Sequence, residues 1–138
     1  MKVMLGTIPS DSHSWNLVYM QLLLNELECD VTQLGICTPE HVYVDTLNSA
    51  QFDLIVLSSI NGHGFSQGKS VAHYISKNFK GEIPPMVIGG KLTTDNNFTA
   101  WHDSKMKQQG FSKVYYNEHA ISDFIRDIES LFNAVSTR

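Results

Sequence analysis

Three short runs concentrate the residues able to do chemistry. The first is Ser10-Asp11-Ser12-His13-Ser14, where a carboxylate and an imidazole stand two positions apart. A carboxylate beside a metal-binding imidazole accepts the Nδ1 proton, fixes the tautomer and leaves Nε2 free to ligate. The second is Ser58-Ser59-Ile60-Asn61-Gly62-His63-Gly64, two hydroxyls leading into a glycine-rich stretch. The third is Gly89-Gly90. One imidazole makes a poor metal site from protein alone, but it suffices for a metal already chelated in a macrocycle with one axial position to fill. The histidines at 41, 63, 73, 102 and 119 show no ligand spacing and have no cysteine companions, which argues against zinc.

These runs need elements to position them. Residues 2–8 are apolar and closed by Pro9-Ser10-Asp11, as a buried strand would be. Residues 15–28 present a helical apolar face of Leu17, Met20, Leu24 and Leu27, backed by Val18 and Leu22. Residues 31–36 form a short second strand. Thr38 as N-cap, Pro39 at the first helical position and Glu40 open a second helix that runs to about Ala50. The most strand-like stretch is 54–57. A third helix spans about 67–79, with Val71, Ile75 and Phe79 on one side. Pro84-Pro85 introduces a strand at 86–88, a weaker helix covers about 98–109 until Gly110 stops it, and a fifth strand covers 113–116. Ile121, Phe124, Ile125, Ile128, Leu131, Phe132 and Val135 then make one helical stripe. The alternation predicts an α/β fold in a single domain over 1–138. It is a flavodoxin-like, doubly wound, five-stranded parallel sheet of order 2-1-3-4-5, with helices on both faces.

Composition sets further bounds. The chain has 138 residues, 42% hydrophobic and only 17% charged, against roughly 25% charged in an average globular chain. That excludes disorder over most of its length. Its net charge of -4, with no basic stripe, argues against a nucleic-acid partner. No apolar run is long enough to span a membrane, and the N-terminal one breaks too early for a secretory signal. Cys29 and Cys37 form no CxxC and read as two buried free thiols of a cytoplasmic protein.

In doubly wound sheets ligands bind beyond the carboxyl ends of the strands, near the switch point. The three runs follow strands one, three and four, so all fall on that rim. Several chemistries fail there. No GxGxxG follows the first strand. Gly68-Lys69-Ser70 supplies the tail of a P-loop, but His63 occupies the position of its first glycine. A response-regulator receiver needs an aspartate where Ser58, Ser59 and Ile60 stand. Ser10, Ser12 and Ser14 fit a flavin-phosphate loop loosely, yet a flavin site does not explain Asp11 and His13. No GxSxG elbow surrounds Ser58 or Ser59.

Asp11-x-His13-x-x-Asn16, Ser58-x-Ile60 and Gly89-Gly90 resemble the cobalamin-binding signature DxHxxG…SxL…GG. The separations of 41 residues (17–57) and 28 residues (61–88) fit. Ser10 to His13, Leu34-Gly35-Ile36, Thr38-Pro39-Glu40, Ser58 to Gly64, and Gly110-Phe111 with Val114-Tyr115 further resemble the small, cobalamin-binding subunits of glutamate (methylaspartate) mutase, along essentially the whole chain. Asn16 replaces the signature glycine, Ile60 its leucine, and Lys91 an asparagine usual in those subunits. Asparagine tolerates left-handed geometry better than most residues.

The resemblance implies a cofactor, adenosylcobalamin, bound base-off with His13 as the lower axial cobalt ligand and Asp11 behind it. The displaced nucleotide tail would enter a slot beside the sheet. Ser58 would hydrogen-bond its benzimidazole, and Gly89 and Gly90 would let the backbone come close. Lys91, Leu92, Thr93, Thr94 and Asp95 would wrap the tail, with Ser10, Ser12, Ser14, Ser59, Ile60, Gly62 and Gly64 completing the cofactor site. The implied activity is a carbon-skeleton isomerisation, glutamate to 3-methylaspartate. It would be performed only with a larger barrel subunit that binds substrate, since the chain shows no second active site of its own. A stand-alone corrinoid carrier, or a degenerate flavodoxin-like binding module without mutase activity, is the alternative.

Overall fold

The computed structural model describes residues 1–136. Five strands and five helices alternate along it: β1 (Lys2–Thr7), α1 (Ser14–Glu26), β2 (Asp30–Gln33), α2 (Glu40–Ser49), β3 (Leu54–Ser59), α3 (Gly64–Asn78), β4 (Met86–Gly90), α4 (Ala100–Gln109), β5 (Phe111–Tyr115) and α5 (Ala120–Ser136). The strands form one parallel sheet of order β2-β1-β3-β4-β5, the order expected from sequence. Thr7 lies opposite Ser58, and Ser58 opposite Gly89, so the three runs end side by side at one edge.

Side chains alternate across the strands. Val3, Leu5, Leu54 and Val56 pack with Leu17 and Leu24 of α1 and with Phe124 and Ile128 of α5. Met4, Ile55, Leu57 and Ile88 pack on the other face, with Tyr43 of α2, Val71 and Ile75 of α3 and Met106 of α4. Tyr43 is fully buried, and its hydroxyl donates to the Thr7 carbonyl at 2.7 Å. Burial pushes its phenol well above the usual range. The ring lies against Gly6, where an added Cβ would collide with the phenol oxygen.

Several boundaries and burials differ from the sequence expectation. Ser58 and Ser59 are the last residues of β3 rather than a loop, and α3 begins at Gly64, three residues early. Glycine at 64 and 68 does not break α3, because each packs where a side chain would not fit, against Leu92 and Ser59 at one and Ile88 at the other. Pro39, not Thr38, is the N-cap of α2. The Thr38 hydroxyl instead accepts from Thr7 N–H at 3.0 Å and donates to the Gly35 carbonyl at 2.8 Å, tying β1 to the loop before α2. Val18 and Leu22 do not back the core of α1. With Trp15 and Tyr19 they form an exposed stripe, because one face of a single helix meets the sheet and theirs is turned away. Cys29 is buried as expected, but Cys37 is exposed, because it lies in the loop between β2 and α2 rather than on a packed element. Among the described residues no helix is long and apolar enough to cross a membrane.

Candidate functional site

β1 ends in a turn closed by Asp11 N–H to the Ile8 carbonyl at 3.1 Å, which folds Asp11 inward and leaves His13 at the mouth of α1. The Asp11 side chain is 1% exposed and that of His13 52%. Asp11 Oδ1 accepts from His13 N–H at 3.0 Å and meets Nδ1 of the ring at 2.7 Å. Its Oδ2 accepts from Ile60 N–H at 2.5 Å and Asn61 N–H at 3.3 Å. One carboxylate therefore joins the first loop to the end of β3 and orients the imidazole. Burial pushes the Asp11 carboxyl up, but the hydrogen bonds from Ile60, His13 and Asn61 outweigh it and hold the group below the usual carboxylate value, ionised at neutral pH. With Nδ1 engaged, Nε2 of His13 is free to ligate. Among the described residues no group of three histidine, cysteine or acidic side chains comes together.

Beside this rim, on the α1 and α5 face, lies a cavity of about 290 Å³. Ser58, Ile60, Gly89 and Gly90 line it, and Asn16 enters it from α1. The Asn16 carboxamide donates to the Ser58 hydroxyl. Most of the remaining wall is apolar, from Met20, Val56, Val87, Ile121 and Phe124. A flat aromatic base suits such a space.

The other candidates divide. Ser10 stitches the loops, accepting from Asn61 Nδ2 at 2.9 Å and donating its N–H to Gln67 at 3.0 Å. Ser12 and Ser14 are exposed near His13. Ser59 faces the opposite side of the sheet from Ser58 and donates to the Lys91 carbonyl at 2.9 Å. Gly62, at φ +91°, lies against Thr94, and Gly64 against buried Leu92. Both glycines seat the 91–95 loop. None of Lys91, Leu92, Thr93, Thr94 and Asp95 lines the cavity. Among the described residues the buried Thr93 hydroxyl has no hydrogen-bond partner. Lys91 and Asp95 are exposed. Gly90 has φ +109°, and a Cβ there would strike the Ser59 carbonyl, so its glycine answers first to the sheet.

Sequence reasoning missed the far wall: Tyr115 at the end of β5, Tyr116 and Asn117 after it, and Ala120 at the start of α5. These residue types carry no signal of their own. The available clue was alternation, because Val56 and Ser58, and Val87 and Gly89, share one strand face and point to a neighbour on β5.

No protein-family model matches the chain. It is 26% identical over 121 residues to the glutamate mutase sigma subunit of Shigella dysenteriae, covering 88% of this chain and 80% of that one. It is 24% identical over 131 residues to the sigma subunit of Fusobacterium nucleatum, covering 95% and 96%. Among solved structures, a cobalamin-binding protein from Desulfitobacterium hafniense superposes with a TM-score of 0.72 at 14% identity. That match covers 94% of this chain and 58% of the other, so the present chain spans little more than half of that protein's length. The structural likeness establishes the flavodoxin-like fold.

Proposed function

We propose that this chain is a cobalamin-binding domain and serves as the small subunit of an adenosylcobalamin-dependent carbon-skeleton mutase acting on glutamate. The observation that carries the reading is the Asp11–His13 clamp, 2.7 Å across, on the rim of an apolar slot. Metal-ligating histidines are held this way by a carboxylate on the second nitrogen. His13 would ligate cobalt through Nε2. The slot, walled by β3, β4 and α5, would take the displaced nucleotide base. The sigma-subunit relatives, matched over most of their lengths, support the same reading.

When bound, the cofactor supplies a cobalt–carbon bond that breaks homolytically. The chain's own part is to hold and orient. Asp11 fixes the imidazole tautomer, and the apolar wall excludes water from the tail. The exposed stripe Trp15, Val18, Tyr19 and Leu22 begins two residues from His13. It suits a chain covered by a larger, substrate-binding partner on that side.

Two measurements test the proposal. Absorbance of cobalamin titrated with protein should show the dimethylbenzimidazole displaced and an imidazole bound, and His13→Ala should abolish that change. No spectral change with excess wild-type protein overturns cobalamin binding. Mixing the chain with a glutamate mutase large subunit, adenosylcobalamin and glutamate should yield 3-methylaspartate, with no turnover by the chain alone. If cobalamin binds but no product forms, the mutase assignment falls and the carrier reading remains.

A further inference from the structure

The turn that bears the Asp11–His13 pair is gripped from α3. Ser10 stands one residue before Asp11, exposed in the turn after β1. Its N–H donates to Gln67 Oε1 at 3.0 Å, and its hydroxyl accepts from Asn61 Nδ2 at 2.9 Å. Asn61 also gives its main-chain N–H to Asp11 Oδ2 at 3.3 Å. Its Oδ1 accepts from His63 N–H at 3.0 Å, and His63 is the N-cap of α3. Gln67 lies in the first turn of that helix, where its own N–H bonds to the His63 carbonyl at 2.9 Å. Because α3 opens at Gly64, the backbone of Gln67 is already helical, and Val71, Ala72 and Ile75 further along anchor the helix in the core. A fixed element therefore holds the turn through two side chains.

An imidazole serves as an axial ligand only while its nitrogen points along the open axis of the metal. Holding it to that tolerance takes supporting hydrogen bonds from rigid elements. Asp11 supplies one at Nδ1, and the direction of that carboxylate depends on the backbone bearing it. That backbone is held on two sides. Cys37 N–H donates to the Asp11 carbonyl at 2.8 Å from the loop after β2. Asn61 and Gln67 hold Ser10 from the loop after β3 and from α3. We propose that Asn61 and Gln67 are positioning residues for the cobalt ligand, which fix Ser10 and thereby set the angle at which His13 presents Nε2. The inference rests on the cobalamin reading and extends it to two side chains outside the ligand pair and the slot. Both hydrogen bonds to Ser10 are exposed, so water can replace them at little cost to the fold, but water does not restore the geometry.

The test uses cobinamide, a corrinoid without a nucleotide tail, so that coordination by His13 is read apart from the slot. Absorbance titrations compare wild type with Gln67→Leu, Gln67→Glu and Asn61→Ala, with His13→Ala as the uncoordinated reference. The same proteins titrated with cobalamin give a second readout. A hydrogen bond of this kind corresponds to about two- to tenfold in an equilibrium constant, so Gln67→Leu and Asn61→Ala should each weaken corrinoid binding by about that factor. At saturation their spectra should keep a fraction of cobalt without imidazole, which a loss of stability alone would not produce. Gln67→Glu retains an oxygen acceptor for the Ser10 N–H and should restore the wild-type spectrum. Circular dichroism and urea denaturation check that each variant is folded under the titration conditions. Wild-type affinity and spectrum in folded Gln67→Leu and Asn61→Ala overturn the positioning role and leave the cobalamin reading standing. Equal losses in Gln67→Leu and Gln67→Glu overturn the part assigned to Gln67. Wild-type protein that changes the spectrum of neither corrinoid overturns both readings.

Discussion

Asp11 Oδ1 lies 2.7 Å from Nδ1 of His13, with the carboxylate buried and the ring half in solvent. That asymmetry separates two roles. The imidazole is free to meet a ligand, while the carboxylate belongs to the fold, since it also takes the N–H groups of Ile60 and Asn61. Substitutions at the two positions should therefore differ in kind.

His13→Ala should leave stability within about 0.5 kcal/mol of wild type, as expected for an exposed side chain. The same variant should lose the imidazole-bound cobalamin spectrum entirely. Urea denaturation and an absorbance titration check the two halves. A strongly destabilised His13→Ala would mean that the ring is part of the core.

Asp11→Asn should be costly on both counts. Its amide nitrogen must face one set of backbone N–H donors, so stability should fall by about 1–3 kcal/mol. Removing the partner of a ligating histidine should weaken cobalamin binding roughly 10- to 100-fold. Wild-type stability at neutral pH with unchanged affinity would contradict both expectations.

The depressed Asp11 carboxyl sets a pH dependence. A group whose folded pKa lies below its unfolded value of about 3.9 contributes stability that is complete above that value. The contribution is lost as pH falls through the lower, folded value. Wild-type protein should thus lose stability steeply below about pH 4, and Asp11→Asn should lose less over the same interval. Melting temperatures from pH 7 down to pH 2.5 measure the difference, and parallel curves would remove Asp11 as its source.

Ala120→Phe should close the slot from α5 without touching the His13 loop. Overpacking costs roughly 1–3 kcal/mol, so cobalamin affinity should drop roughly five- to hundredfold. A corrinoid lacking the nucleotide tail should bind both proteins alike. Comparing the two ligands by dialysis isolates the slot, and equal losses for both would show that the tail does not enter it.

Gly90→Ala places a side chain at φ +109° and against the Ser59 carbonyl. The left-handed backbone alone costs about 1–2 kcal/mol. Denaturation should show at least that loss with no ligand present. A neutral substitution would mean that β3 and β4 can separate at this edge.

Much of this was readable from residue order. Strand order followed from the alternation of apolar segments, and the clamp followed from the Asp11-x-His13 spacing. What escaped depended on contacts between distant segments. Thr38 has the residue type of a helix cap, but a threonine hydroxyl takes whichever partner tertiary structure brings, here Thr7 and the Gly35 carbonyl. Val18 and Leu22 are apolar and adjacent to the packed face, and nothing local says where the sheet ends beneath them. Ser58 and Ser59 are both buried on opposite faces of β3, so a hydroxyl pair that reads as loop is in fact strand. Asn16 reads only as a departure from a motif until its contact with Ser58 is visible.

The Tyr43 ring fills the volume that any side chain at position 6 would need, so the two positions can change only as a couple. Enlarging residue 6 demands a smaller residue 43. That exchange would forfeit the phenol's hold on the Thr7 carbonyl, four residues upstream of Asp11. How far the loop bearing the imidazole can drift over generations is thus governed from α2, on the opposite side of the sheet from the slot.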